Sequence, residues 1–120
     1  MAKVLIVDDS MTSRKFLRTM LERAECEIVG EAVDGQEGID KYKELSPDIV
    51  TMDITMPVKN GIEALEEIIE YDENAKVIMV TAAGQNSNMV EALKLGASDF
   101  IQKPFELDQI SAVIQKVLEE

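Results

Sequence analysis

Two periodicities alternate along this chain from end to end, and their alternation leaves few architectures open. Short apolar, β-branched runs occur at residues 4–7, 28–29, 49–52, 77–80 and, more weakly, 100–101. Between them, apolar residues recur at helical spacing. After Ser10, a candidate N-cap, come Phe16, Leu17, Met20, Leu21 and Ala24; the third helical segment carries Ile62, Leu65, Ile68 and Ile69. The last carries Leu107, Ile110, Val113, Ile114 and Val117, while residues 36–45 and 88–95 are less sharply striped. A parallel crossover needs a dozen or more residues, so strand then helix, five times over, calls for a parallel sheet covered by helices on both faces. Right-handed crossovers reduce the topologies to a few.

The expectation is a single α/β domain over residues 1–120, a (βα)5 doubly wound parallel sheet of flavodoxin-like form with strand order 2-1-3-4-5 and no output domain. Turns or helix ends are expected at Asp34-Gly35, Ser46-Pro47, Asn60-Gly61 and Leu95-Gly96. The 24 acidic residues against 12 basic ones give a formal net charge of −12, which repels both nucleic-acid backbones and anionic lipid. Neither nucleic acid nor membrane is therefore an expected partner, whereas a basic protein surface is compatible. Cys26 has no second cysteine to pair with, and the absence of histidine removes histidine triads and histidine metal sites. The N-terminal apolar run is too short for a signal peptide, and no stretch approaches the roughly 18 apolar residues of a membrane span. A cytoplasmic monomer is expected.

Residues that carry chemistry fall at the ends of the apolar runs: Asp8 and Asp9, Asp53, Thr81 and Lys103. In an open parallel sheet the crevice at the carboxyl ends of the strands is where ligands bind, so these side chains should converge. Taken alone, the acidic pair also suits helix capping by Asp9 or Ser10. With Asp53 beside it, three carboxylates would raise one another's pKa unless a divalent cation sat among them. Mg2+ suits such oxygen donors. The expected ligands are Asp9, Asp53 and the backbone carbonyl of Thr55, with Asp8 orienting a metal-bound water. Asp53 is then the candidate nucleophile toward phosphorus, forming an acyl phosphate. Lys103 would neutralise charge on the phosphoryl oxygens, Thr81 would donate a hydrogen bond to one of them, and the small Ala82 and Ala83 would leave the product open.

These motifs together, Asp8-Asp9, Asp53 within TMDITMP, Asn60-Gly61, Thr81-Ala82-Ala83 and Lys103-Pro104-Phe105, make the chain resemble the response-regulator receiver family over essentially all its length. More narrowly, it is similar to the stand-alone chemotaxis members of that family. The resemblance implies that Asp53 takes a phosphoryl group from a phosphohistidine on a sensor histidine kinase, with Mg2+ required. It implies a cis peptide between Lys103 and Pro104, and a switch in which Thr81 moves inward and frees space for an aromatic ring, here Phe100. Chemotaxis members often carry Tyr at that position; Phe lacks the hydroxyl. The surface implied to change spans the fourth helix, fifth strand and fifth helix, residues 86–95 and 100–117, with a flagellar motor switch protein as the target and a phosphatase as a further partner.

Three other readings compete. A phosphorelay intermediate would share every motif above. A Mg2+-dependent phosphohydrolase with an aspartyl intermediate would need a second acid or base to activate water, which Ala82 and Ala83 do not supply. A flavin-binding module would favour a glycine- and hydroxyl-rich first loop, which Asp8 and Asp9 oppose.

Overall fold

Strand β1 (Lys3–Val7) and strand β3 (Ile49–Asp53) hold the middle of the sheet because both faces of each are apolar. In a computed structural model that describes residues 1–82 and 86–120, Val4, Leu5, Ile6 and Val7 are all buried. Strand β4 (Val77–Thr81) is buried along its whole length, and edge strands β2 (Glu27–Ala32) and β5 (Asp99–Gln102) are only partly covered. The described residues form one parallel sheet in the order β2-β1-β3-β4-β5. The expected strand order is therefore the observed one.

Alternate residues of each central strand face opposite layers, as a two-residue period requires. Leu5, Val7, Val50, Met52, Val77 and Met79 pack with helices α2 (Gly35–Leu45), α3 (Gly61–Tyr71) and α4 (Asn86–Lys94), chiefly through Ile39, Leu65, Ile68 and Ala92. Val4, Ile6, Ile49, Ile78 and Val80 pack with α1 (Met11–Arg23) and α5 (Leu107–Leu118) through Leu17, Leu21, Ile110, Ile114 and Val117. Among the described residues no helix is long and apolar enough to cross a membrane.

Departures from the sequence expectation sit where apolar patterning is thin. β2 extends well beyond residues 28–29 because an edge strand, wet on one side, accommodates Gly30 and Glu31. α4 begins two residues before the expected start, with polar Asn86 and Ser87 opening it. Phe16 is not part of the α1 core stripe: it is 49 % exposed, and its ring tilts against Phe105 at a centroid distance of 5.6 Å. At 100° per residue, Leu17, Met20 and Leu21 already fill the buried stripe, which leaves Phe16 at its margin. Met56, three residues past the end of β3, is buried in the core.

Local capping aims the loops at the carboxyl edge. The Ser10 hydroxyl accepts from the Ser13 N–H at 3.2 Å to start α1. Asn60 and Glu63 form a reciprocal capping box at the start of α3. Gly61 opens that helix pressed against the end of β3: its N–H donates to the Ile54 carbonyl at 2.7 Å, and a Cβ there would lie 2.1 Å from the Asp53 carbonyl oxygen. Alanine favours a helix interior over glycine by about 1 kcal/mol, but this contact is with backbone and cannot be relieved by a rotamer change. Gly61→Ala is accordingly expected to lower the unfolding free energy by about 2 kcal/mol or more, read by urea denaturation; a stabilised variant would contradict the clamp.

Candidate functional site

Asp8, Asp9 and Asp53 come together beyond the ends of β1 and β3, each offering a carboxylate oxygen within 4.8 Å of the others. Asp8 is buried, at 1 % exposure, and α1 supplies its partners. Its Oδ1 accepts from the Ser10 N–H at 2.9 Å, its Oδ2 accepts from the Ser13 hydroxyl, and its carbonyl accepts from Arg14 Nη1 at 2.7 Å. Asp9 is exposed, and Asp53 is partly buried with its Oδ1 accepting from the Ile54 N–H at 3.0 Å.

Crowding leaves a clear electrostatic mark. The Asp53 carboxyl is pushed up to about 6, first by burial and then by the negative charge of Asp8, while Lys103 and the Ile54 N–H oppose the rise. An oxygen donor whose ionisation is penalised in this way, with two further carboxylates beside it, fits a hard divalent cation, which would favour its charged form. Thr55 follows on the exposed loop after β3 and lines a cavity of about 340 Å³ with Met56, Asn60, Asn88 and Glu91, among others.

The lysine reaches this cluster from the other side. Lys103 Nζ lies 3.8 Å from Asp8 Oδ2 and donates to Ser13 Oγ at 3.1 Å. Its backbone N–H donates to the Thr81 carbonyl at 2.8 Å, tying the two strand ends together, and the Lys103–Pro104 peptide is cis. Thr81 is fully buried, with its hydroxyl donating to the Ala82 carbonyl at 3.2 Å. Ala82 is exposed, and Ala83 lies outside the described residues. Phe100 is half-buried opposite Met79 and packs on the core layer that includes Ala92.

Sequence reasoning missed the α1 residues that organise the acids. Ser13 falls three positions after the cap residue Ser10, a spacing that puts it in the first turn beside the acidic loop. Arg14 joins the Asp8 carbonyl to Glu31 of β2 through an Nε–Oε1 contact of 3.1 Å, and Arg18 Nη1 meets the other Glu31 oxygen at 2.6 Å. Sequence spacing gave no sign of a pairing between a helix and an edge strand. Glu67 of α3 pairs with Lys59. Just before Lys59 the chain turns at Val58, where φ is +66° and the Lys59 N–H donates to the Pro57 carbonyl at 2.8 Å.

Comparison with known proteins places this arrangement in a family. The model of the response regulator receiver domain matches residues 4–115. The chain is 50 % identical over 115 residues to the chemotaxis protein CheY of Thermotoga maritima, covering 96 % of each. It is 52 % identical over 118 residues to a Bacillus subtilis protein named CcdB, covering 98 % of each. Among solved structures, the complex of CheX, CheY, BeF3 and Mg2+ from Borrelia burgdorferi contains a chain that superposes with a TM-score of 0.88 at 40 % identity, covering 98 % of this chain and 87 % of that one.

Two outcomes follow from the geometry of the site. A carboxyl raised in the folded state stabilises the fold below the ordinary carboxylate range, and that contribution is lost as pH rises through about 6. In metal-free buffer, Asp53→Asn should match the wild type in stability near pH 4. It should exceed the wild type by roughly 2 kcal/mol above pH 7, as denaturation across that range would measure. Valine is strained at positive φ, so Val58→Gly should raise stability by about 1 kcal/mol, against the usual entropic penalty of glycine. A lower denaturation midpoint would show that the turn is unstrained.

Proposed function

The chain belongs to the response regulator receiver domain family, and on that premise we propose that it is a phosphoacceptor switch with Asp53 as the phosphorylated residue. The observation that carries this reading is the convergence of Asp8, Asp9 and Asp53 with the Lys103 ammonium at one edge of the sheet. The donor is a sensor histidine kinase. An Asp53 carboxylate oxygen forms the new O–P bond while the donor's P–N bond breaks. The electron pair of that bond stays on the imidazole nitrogen, and no redox partner is needed.

Asp9, Asp53 and the Thr55 carbonyl would hold Mg2+, with Asp8 acting through a water. Bound there, Mg2+ supplies positive charge against the negative charge that builds on the phosphoryl oxygens. Lys103 supplies the protein's own share by moving its ammonium toward the phosphoryl group. Thr81 contributes a hydroxyl donor, exchanging the Ala82 carbonyl for a phosphoryl oxygen. The chain thereby catalyses its own phosphorylation and dephosphorylation and transforms no metabolite.

Signalling follows from how little free energy these groups can redirect. A hydrogen bond from Thr81 to a charged oxygen contributes about 1.5 to 3 kcal/mol, whereas moving an element from 1:99 to 99:1 needs about 5.5 kcal/mol. Lys103 already lies near Asp8, so only part of its attraction to phosphate is new. Phosphorylation alone therefore shifts the equilibrium partway, and a partner completes it. Movement of Thr81 frees room for Phe100, and the affected surface is the face of α4, β5 and α5, where Val90 and Leu93 are exposed. The target of that face is a flagellar motor switch protein. A phosphatase resets the switch, and a similar chain from Borrelia burgdorferi has been crystallised in complex with a second protein, CheX, together with BeF3 and Mg2+. The protein acts as a cytoplasmic monomer, with residues 1–120 forming one receiver domain.

Incubation with acetyl phosphate and Mg2+ should place one phosphoryl group on Asp53, located by mass spectrometry, and Asp53→Asn should carry none. Lys103→Ala should slow labelling by about 10²-fold, the usual effect of removing one charge-stabilising donor. An adduct on any other residue overturns the assignment.

A further inference from the structure

Ser13 is neither an acid nor a cation, yet it touches two of the charged groups at the sheet edge. Its hydroxyl accepts from Lys103 Nζ at 3.1 Å and donates to Asp8 Oδ2, bridging α1 to the segment after β5 across 90 residues of chain. Lys103 Nζ and Asp8 Oδ2 are themselves 3.8 Å apart, so the hydroxyl sits beside an ion pair that is not in hydrogen-bond contact. A serine hydroxyl offers one donor and two acceptor sites. With its proton directed at Asp8, its lone pairs face the ammonium.

We propose that Ser13 is a positioning residue for Lys103, fixing where the ammonium rests and the direction from which it meets a phosphoryl group on Asp53. The inference rests on Asp53 being the phosphoacceptor. A lysine stem is long and flexible, and a partly exposed one orders only where a fixed acceptor holds it. Ser13 is such an acceptor because the first turn of α1 is itself anchored: the Ser13 N–H donates to Ser10 Oγ, and the Arg14 N–H donates to the Ser10 carbonyl at 2.9 Å. Asp8 is fixed in turn through its other oxygen by the Ser10 N–H. The path from helix backbone to ammonium thus runs through one hydroxyl.

What the position contributes to the site is one hydroxyl, shared between Asp8 Oδ2 and Lys103 Nζ, and the stability of each variant is measured beside its rate. The capping oxygen of α1 belongs to Ser10, so Ser13→Ala removes no cap, and alanine is the better helix former. Thr at the same position keeps the hydroxyl. Ser13→Ala is expected to lower the phosphorylation rate at saturating acetyl phosphate and Mg2+ by about tenfold, with the KM for acetyl phosphate within about twofold of wild type. Ser13→Thr should recover most of the rate.

A second readout needs neither metal nor donor. In the free protein, the Lys103 side-chain ammonium should give a slowly exchanging NMR signal in wild type and in Ser13→Thr, and lose it in Ser13→Ala. Equal ammonium signals in wild type and Ser13→Ala, an unchanged rate in Ser13→Ala, or equal rate losses in both variants at wild-type stability would each overturn the proposal. If wild type itself takes no phosphoryl group on Asp53, the phosphoacceptor assignment falls instead, and the ammonium signal still decides whether Ser13 positions Lys103.

Discussion

Holding like charges together is the constraint on which the rest of this structure depends. Asp8, Asp9 and Asp53 would separate in a flexible chain, but each is fixed at or just beyond the end of a buried strand, and β1 and β3 are neighbours in the sheet. The cost appears in Asp53, whose carboxyl, pushed up first by burial and then by the charge of Asp8, resists ionisation until about pH 6. Apolar residues on both faces of β1, β3 and β4 stabilise the sheet enough to hold that repulsion. The fold thereby stores a demand for positive charge at one edge, which a divalent cation and Lys103 can meet.

Around that edge the supporting contacts come from helix starts and loop ends. α1 gives Asp8 three partners, from Ser10, Ser13 and Arg14, and Arg14 extends the network to Glu31 on the edge strand. On the far side, one backbone hydrogen bond links Lys103 to Thr81. Lys103 also feels the charge on Asp53, so the ends of β3, β4 and β5 are linked electrostatically. This coupling is local, which suits the proposed switch, whose two states would differ by only a few kcal/mol.

Most of the architecture was legible because the apolar pattern is strong where strands are central. Residues 4–7, 49–52 and 77–80 mark β1, β3 and β4 closely, since a strand buried on both faces leaves a continuous apolar run. The edge strand β2 was underestimated because half of it faces water and carries Gly30 and Glu31. Phe16 was misplaced because helical spacing gives a stripe but not its width. At the site, the charged residues announced themselves by type and position. Ser13 and Arg14 did not, since a serine and an arginine in a helix's first turn are ordinary until the structure brings Lys103 and Glu31 against them.

The central claim is that burial and neighbouring negative charge penalise the ionised form of Asp53 and that a divalent cation relieves the penalty. The most direct test follows the Asp53 side-chain carboxyl carbon by NMR across pH, with and without saturating Mg2+. The account predicts titration near 6 in the metal-free protein, moving down to or below the ordinary carboxylate range when Mg2+ is present. Titration in the ordinary range without metal, or a midpoint that Mg2+ leaves unmoved, would contradict it.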